Sequence, residues 1–133
     1  MVAKIIIDSN FFFIPSEFQI DILEDLKKLL NQKIDPILLS ITHLEILKLA
    51  EKGHPKLRQQ ALLALKFSEK CRKVNVESLP GETNDDTIVR VAKDWNCFVA
   101  TNDGILRKKL RKENVTTIFL RQRAFLDYEG AIQ

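Results

Sequence analysis

The sequence predicts a single three-layer α/β/α domain with a central parallel sheet, extending over residues 1–133. Short segments of solid apolar residues alternate along the chain with longer amphipathic segments. This is the pattern of strands buried on both faces, alternating with the helices that cover them. The chain contains only four glycines and four prolines, which disfavours an all-β or loop-rich protein. Its 133 residues suffice for one sizeable core.

The first half of the chain contains two predicted strands and three predicted helices. Ile5–Ile7 is a β-branched run typical of a central strand, and Pro36–Ser40 is the second strand. The apolar positions of Glu17–Leu30 recur at helical spacing, and Ser16 and Gln19 are placed to form a capping box at its start. The other two helices are predicted at Thr42–Lys52 and Pro55–Lys70.

The second half contains three short predicted strands and two predicted helices. Turn-forming residues in "LPGETND" separate the first of these strands from the helix that follows. No element is predicted in the tail from Arg121, whose composition is mixed and polar at its end. The predicted elements are a strand at Lys73–Val76, a helix at Asp85–Trp95, a strand at Cys97–Thr101, a basic helix at Asp103–Lys112 and a strand at Val115–Leu120.

Composition and charge restrict the class of protein. Hydrophobic residues make up 45% and charged residues 29% of the chain, and no apolar run approaches the roughly 18 residues of a membrane span. The N-terminus lacks the pattern of a signal peptide. Cys71 and Cys97 are well separated, which favours reduced thiols. We therefore expect a cytoplasmic protein without a membrane partner.

The charges are unevenly distributed although the net charge is only +3. Residues 77–103 contain six acids and two bases, whereas residues 104–123 contain seven bases and one acid. Solvated helix faces are the commonest reason for such runs. An acidic zone followed by a basic zone also suits a protein that binds both cations and a polyanion.

Carboxylates occur at four predicted junctions between a strand and the next helix. Asp8 directly follows the first strand, and Glu45 is in the first turn predicted after the second. Asp85 and Asp86 open their helix, and Asp103 follows "CFVAT". Ligands of open parallel sheets bind beyond the carboxyl ends of the strands. We therefore expect these acids to lie near one edge of the sheet.

Each acid also has an ordinary structural explanation. Glu45 lies three residues after Thr42 and could complete a capping box. Asp85, Asp86 and Asp103 could cap helices or complement helix dipoles, and Asp8 could form an Asx-turn. These explanations account for single acids, but not for acids at all four junctions.

Carboxylates crowded at one edge would repel each other and would favour a bound cation. Repulsion raises the pKa of the last group to ionise, and a divalent metal ion removes that penalty. Oxygen ligands select hard cations, so Mg²⁺ or Mn²⁺ fits such a site better than Zn²⁺. A metal of this kind can activate water and stabilise the transition state of phosphodiester hydrolysis.

Four short motifs in this order resemble the PIN domain family. They are "IIIDSN", "THLEIL", "NDDTIVRVA" and "VATND", and the resemblance extends over nearly the whole chain. PIN domains are Mg²⁺- or Mn²⁺-dependent ribonucleases with a 5′-nuclease-like α/β/α fold. The last third looks more like archaeal PIN proteins related to eukaryotic small-subunit rRNA-processing factors than like bacterial toxins. The resemblance thus implies a metal-dependent ribonuclease acting on single-stranded RNA or rRNA.

The resemblance also implies which residues form the site. The catalytic and metal-binding acids would be Asp8, Glu45, Asp85 and Asp103. Asp86 would be an additional metal-binding acid, or the direct ligand with Asp85 supporting it. The small polar residues that accompany the acids, and would position metal ligands, are Ser9, Asn10, Thr101 and Asn102.

The basic segment beside Asp103 is the predicted surface for the RNA backbone. The residues expected to contact phosphates are Arg107, Lys108, Arg111, Arg121 and Arg123. Phe11–Phe13 is bulkier than the family pattern leads us to expect, and these aromatics could be core, a dimer surface or a platform for bases. A homodimer could form through the helices predicted at Glu17–Leu30 and Pro55–Lys70.

Three other functions stay open. A toxin-type PIN ribonuclease would be controlled by an antitoxin. A weakly active or inactive PIN domain would serve as an RNA- or protein-binding module with a ribosome-assembly partner. A receiver-like phospho-acceptor domain also has acids at strand ends, but no suitable acid or lysine supports it here.

Overall fold

The computed structural model describes residues 2–18 and 20–132 of the chain. Its strands are β1 Val2–Ile7, β2 Lys33–Leu39, β3 Arg72–Val74, β4 Phe98–Ala100, β5 Thr117–Arg121 and β6 Phe125–Glu129. Its helices are α1 Ile14–Phe18, α2 Ile22–Leu30, α3 Ser40–Lys52, α4 Pro55–Ser68, α5 Asn84–Trp95 and α6 Gly104–Lys112. A 3₁₀ helix, Ser9–Phe13, links β1 to α1. In the described part of the chain, no helix combines the length and apolar composition needed to cross a bilayer.

The sheet has the strand order β3-β2-β1-β4-β5-β6. The first five strands are parallel, and β6 pairs antiparallel with β5. The central strand β1 contains three isoleucines, Ile5, Ile6 and Ile7, that are completely buried. Their burial on both faces explains the solid apolar run in the sequence, because a central parallel strand has no solvent side.

Helices cover both faces of the sheet. Ile5 and Ile7 point to the core formed with α1, α2, α3 and α4. Ile6 points to the opposite core, which α5 and α6 complete. Alternate side chains of a strand therefore supply separate hydrophobic layers. The predicted three-layer α/β/α fold is confirmed, with an antiparallel edge strand added to the parallel sheet.

The phenylalanines after the first acid belong mainly to the core. Phe11 is completely buried and Phe12 is 1% exposed. The Phe12 ring packs edge-on against Phe67 of α4, with 5.7 Å between the ring centroids. Phe13 is half-buried and packs against the same core. Of the interpretations considered for this segment, core packing is the one that the structure confirms for Phe11 and Phe12.

The single helix predicted at Glu17–Leu30 is wrong, because the chain forms two helices here. Asp21 interrupts the run and caps α2, where its Oδ1 accepts a hydrogen bond from the Glu24 backbone N–H at 3.2 Å. The helical spacing of the apolar residues cannot reveal this break, since α1 and α2 each bury residues against the same core.

The predicted capping box at Ser16 is also not formed. Ser16 lies inside α1, and its hydroxyl donates to the Phe13 carbonyl at 2.9 Å instead of capping a helix start. Gln19, the other predicted member of that box, lies outside the described residues.

The tail from Arg121, for which no element is predicted from the sequence, contains the second strand of a β-hairpin. Phe125 faces Arg121 across β5 and β6. Gln122 and Arg123 at its tip both have positive φ angles, of 53° and 56°, and the Ala124 N–H donates to the Arg121 carbonyl at 3.0 Å. Tight hairpin turns with two such residues favour Asn-Gly and similar pairs. Each non-glycine residue there is strained by roughly 1 kcal/mol.

We expect Gln122→Gly to raise the free energy of unfolding by about 1 kcal/mol, because glycine adopts a positive φ without a Cβ clash. The measurement is chemical denaturation of both proteins. Gln122→Ala is the matched control and should leave stability within a few tenths of a kcal/mol, since alanine keeps the Cβ. Equal effects of the two substitutions would contradict strain at this turn.

Candidate active site

The carboxyl edge of the sheet gathers acids from distant parts of the chain. Asp8 follows β1, and its backbone N–H donates to the Ala100 carbonyl of the neighbouring β4 at 3.0 Å. Asp103 caps α6, directly beyond β4. Glu45 lies in α3, which follows β2, and Asp85 lies in the first turn of α5. The carboxyl ends of parallel strands share one edge, which we call the acid edge and define by Asp8, Glu45, Asp85 and Asp103.

Asp8 is the most buried acid of this set, with only 6% of its surface exposed. Its Oδ1 accepts the Ser9 backbone N–H at 2.9 Å. Its Oδ2 accepts the Thr101 hydroxyl at 2.8 Å and the Asn10 amide at 3.1 Å. The predicted polar companions Ser9, Asn10 and Thr101 thus contact Asp8 directly, and they fix the orientation of its carboxylate.

Burial raises the pKa of Asp8 from 3.8 to about 6. The hydrogen bonds from Thr101 and Ser9 act in the opposite direction, and the negative charges of Glu45 and Asp85 raise the pKa further. Burial also raises the pKa of Asp85, as do the charges of Asp103, Glu45 and Asp86, while Lys109 lowers it. The acids are therefore close enough to repel one another across the acid edge.

Polar side chains connect the loops that hold these acids. The Thr101 hydroxyl, which donates to Asp8, also accepts the Asp103 backbone N–H at 3.1 Å. Asn10 Oδ1 accepts the Asn102 N–H at 3.0 Å, and Asn102 Oδ1 accepts the Leu120 N–H at 2.8 Å. These bonds join the loops after β1 and β4 to the end of β5. The bonds of Asn102 therefore hold the loops together and do not contact an acid directly.

Asp103 acts as a helix cap, as its ordinary structural explanation predicts. Its Oδ1 accepts the backbone N–H groups of Ile105 at 2.8 Å and Leu106 at 3.2 Å. Both bonds use the same oxygen, so the cap orients the carboxylate at the edge without engaging both of its oxygens.

Glu45 does not form the predicted capping box with Thr42. Helix α3 begins at Ser40, and Thr42 is a buried residue inside it. Glu45 Oε1 instead accepts the Asn84 side-chain amide at 2.6 Å. Asn84 is not among the predicted site residues, although its position immediately before Asp85 links it to the site.

The neighbouring acids Asp85 and Asp86 have different environments. Asp86 forms a capping box with Thr83, in which its Oδ2 accepts the Thr83 N–H at 3.2 Å. Its Oδ1 accepts Lys109 Nζ at 3.0 Å, and these bonds lower the pKa of Asp86. Both oxygens of Asp86 thus bind neighbouring groups of the fold. The carboxylate of Asp85 is instead repelled by the negative charges of Asp103 and Glu45.

The acids are near each other but do not form a closed metal cage. Within residues 2–18 and 20–132, no three histidine, cysteine or acidic side chains converge closely enough to hold an ion. The donor set still fits a hard cation, because its ligand atoms are carboxylate oxygens whose mutual repulsion a cation would relieve. Mg²⁺ commonly uses one or two protein carboxylates and keeps several waters, which matches this open arrangement.

Two of the arginines predicted to contact RNA are paired with an acid of the same chain. Arg107 and Arg111 bind Glu129 at 2.9 Å and 3.0 Å. Arg107 also lies over the Phe119 ring, 3.9 Å from its centroid. Glu129 faces Thr117, the first residue of β5, so both pairs lie toward the edge opposite the acids.

The other three predicted contacts are more available. Arg121 ends β5 at the acid edge and pairs with Asp127. Arg123, at the hairpin tip, and Lys108, on α6, are exposed. In the described part of the chain, neither Lys108 nor Arg123 has an acidic partner. Pairing with acids of the same chain therefore leaves fewer free bases than the sequence suggests.

We expect Asp8→Asn to gain about 2 kcal/mol of stability at pH 7.5 relative to its effect at pH 4. Replacing an oxygen that accepts hydrogen bonds changes stability equally at both pH values, so the difference isolates the cost of ionising Asp8. The Asp8 pKa is about 6 when folded against an ordinary value of 3.8, so ionisation costs stability as the pH rises through this interval. The gain should be constant above about pH 7 and vanish toward pH 4, where the folded protein holds Asp8 neutral. Urea denaturation across this pH range measures it.

The matched control is Asp86→Asn, which removes a carboxylate whose pKa is lowered in the folded state. It should destabilise the protein at neutral pH, and this loss should shrink as the pH falls. A gain for Asp8→Asn that did not depend on pH would contradict the assigned burial penalty.

Comparison with known proteins agrees with this fold. Residues 5–123 match the family model described as PIN like domain. Ribonuclease VapC4 of Methanocaldococcus jannaschii is 28% identical over 134 residues, which cover 97% of this chain and 98% of that protein. A structure of the PIN domain endonuclease Utp24 superposes with a TM-score of 0.79 and 25% identity, covering 98% and 93% of the two chains.

A domain of a functionally unknown protein from Methanocaldococcus jannaschii superposes with a TM-score of 0.64. At 17% identity, with 98% of this chain and 99% of that one covered, this likeness shows the fold alone. The family match spans most of the chain and includes all four residues that define the acid edge. The chain therefore belongs to the PIN-like domain family.

Proposed function

We propose that this protein is a metal-dependent ribonuclease that hydrolyses RNA phosphodiester bonds with water as the nucleophile. The observation that carries the proposal is the buried carboxylate of Asp8, whose pKa is raised to about 6 beside the negative charges of Glu45 and Asp85. A cation bound at this edge would relieve the repulsion and offset part of the cost of burying the Asp8 carboxylate. The similarity to ribonuclease VapC4 and to the endonuclease Utp24 supports the same activity.

Asp8, Glu45, Asp85 and Asp103 would hold Mg²⁺ or Mn²⁺, directly or through waters, in a single domain that spans residues 1–133. The bound ion would supply Lewis-acid activation of water and stabilisation of charge on the phosphate. The hydrogen bonds of Thr101 and Asn10 to Asp8 fix its carboxylate before the cation binds. Asp86, held by Thr83 and Lys109, would act as a neighbouring charge and not as a direct ligand.

The RNA backbone would lie along the basic side of the acid edge. Lys108 and Arg123 are the predicted contacts without an acidic partner among the described residues, and Arg121 lies two positions before Arg123, at the end of β5. Phosphate contacts of this kind position the RNA without reading its sequence. Arg107 and Arg111 would contribute less, because Glu129 already neutralises much of their charge.

Two biological roles fit the proposed activity. Processing of rRNA, with a ribosome-assembly partner, follows from the resemblance of the last third of the sequence to PIN proteins related to rRNA-processing factors, and the TM-score of 0.79 with the endonuclease Utp24 supports the nuclease activity that this role needs. A toxin role with an antitoxin partner is favoured by the 28% identity to VapC4. Toxicity on expression, relieved by a neighbouring gene product, would select the second role.

The surface of α4, where Leu62 and Leu63 are exposed, is the better candidate for a homodimer contact, because α2 exposes charged residues.

The proposed activity is tested by cleavage of single-stranded RNA in the presence of Mn²⁺. We expect Asp8→Asn and Asp103→Asn each to lower the rate at least 100-fold, because each would remove a charge that holds the cation. Asp86→Asn is the matched control and should keep the rate within about fivefold, since its carboxylate serves the helix cap and Lys109. Equal rates in wild type and Asp8→Asn would mean a contaminating nuclease and would overturn the assignment.

Metal binding can be measured without any turnover. We expect millimolar Mn²⁺ to raise the melting temperature of the wild type by several degrees, because binding to the folded state alone stabilises it by mass action. The Asp8→Asn protein should gain much less, since it has lost both a ligand and the repulsion that a cation relieves. An equal rise in both proteins would place the ion elsewhere.

A further inference from the structure

One exposed aromatic side chain lies at the acid edge without a role in the core. Phe125, the first residue of β6, is 46% exposed and faces Arg121 across the hairpin. Arg121 ends β5, whose carboxyl end lies at the same edge as Asp8 and Asp103. The phenylalanines near Asp8, by contrast, are used by the core.

The face on which Phe125 lies is the one covered by α6. Arg107 of α6 lies over Phe119, and Phe119 faces Asp127 across the strands. Alternate residues of a strand share a face, so Phe125 lies on this side, one step closer to the acid edge than Asp127. Ile105, in the first turn of α6, is 68% exposed on the acid-edge side of Arg107. Two exposed apolar side chains, Ile105 and Phe125, therefore lie toward the acid-edge end of this face.

Two arginines lie near Phe125: Arg121, which is paired with Asp127, and Arg123, which has no acidic partner among the described residues. Arg121 is the cross-strand neighbour of Phe125, and Arg123 occupies the hairpin tip with a φ of 56°. That left-handed conformation is unfavourable for arginine, and strained residues concentrate at functional sites. An aromatic ring with cationic side chains beside it suits a nucleotide, whose base stacks while its phosphate pairs.

We propose that Phe125, with Arg121 and Arg123 beside it, binds one unpaired RNA nucleotide next to the acid edge. This inference rests on the proposed ribonuclease function and specifies its substrate as single-stranded RNA. The base stacks on the Phe125 ring, and the adjoining phosphate contacts Arg123. A base inside a duplex is already stacked on both faces and paired, so it has no free face to offer the ring.

Tyr128 provides a matched control on the same strand. It is 40% exposed, close to the value for Phe125. It lies on the opposite face of the sheet, because it is three positions after Phe125 and side chains alternate along a strand, and it faces Ile118 within β5. If any exposed aromatic side chain bound RNA, substitution at either position would weaken RNA binding. The proposed site predicts a loss for substitution of Phe125 alone.

The test uses the full chain with Asp8→Asn, which permits binding without cleavage. Trp95, the only tryptophan in the sequence, is replaced by phenylalanine, and Phe125→Trp or Tyr128→Trp then supplies one indole. Each protein is titrated with a single-stranded decauridine and with an RNA duplex of equal length. We expect the single strand to quench the fluorescence at position 125 but not at 128, and the duplex to quench neither, because stacking needs an unpaired base.

Affinity provides the second measurement. Phe125→Leu should weaken decauridine binding roughly tenfold, within the range for loss of one stacked base, while Tyr128→Leu stays within twofold. Equal quenching at the two positions, equal quenching by the duplex, or no effect of Phe125→Leu would each overturn the proposal. Failure of both RNAs to bind would also overturn the proposal. A protein partner would then be the alternative ligand of this surface.

The outcomes for this inference and for the proposed function can be told apart. Quenching at position 125 in a protein whose wild type does not cleave would support the nucleotide site and reject the nuclease. Cleavage that depends on Asp8 but comes without quenching at position 125 would support the nuclease and reject the site.

Discussion

The hydrogen bond from the Thr101 hydroxyl to the Asp8 carboxylate holds together two segments that are 93 residues apart in the chain. The same hydroxyl accepts the backbone N–H of Asp103, so one side chain orients the first acid and fixes the backbone of another. A buried carboxylate without such partners would be too costly to keep. The geometry of the acid edge therefore depends on this contact and on the pairing of β1 with β4 beneath it.

These hydrogen bonds only partly offset the cost of burying Asp8. Burial outweighs them and raises the Asp8 pKa to about 6, and the charges of Glu45 and Asp85 add to the effect. Lys109 eases the repulsion at Asp85, but it is also bound to Asp86. The protein thus accepts a loss of stability at one edge of its sheet, as functional sites often do. The proposed cation is the group that would recover that loss.

The first five strands, and the position of the acids beyond their carboxyl ends, each have a local signal in the sequence. The isoleucine run identifies β1, and the acids follow apolar runs at the strand ends. The break between α1 and α2 has no such signal, since Asp21 interrupts a spacing that stays helical on both sides. The partner of Glu45 was also missed, because its contact with Asn84 joins residues 39 positions apart. Contacts between distant segments follow from the fold and not from any local pattern.

The missed strand β6 has the largest consequence for the surface charge. Counting bases along residues 104–123 predicts one continuous basic surface. Strand β6, just beyond that segment, supplies Glu129 to Arg107 and Arg111, and Asp127 to Arg121. Pairing with β6 thereby removes much of the basic surface. Together with the pair between Lys109 and Asp86, it leaves Lys108, Lys112 and Arg123 as the bases of this segment without an acidic partner among the described residues. The same strand brings Phe125 beside Arg121. The strand that the sequence prediction missed therefore determines which basic side chains are free to contact a polyanion. It also determines which aromatic side chain lies next to them.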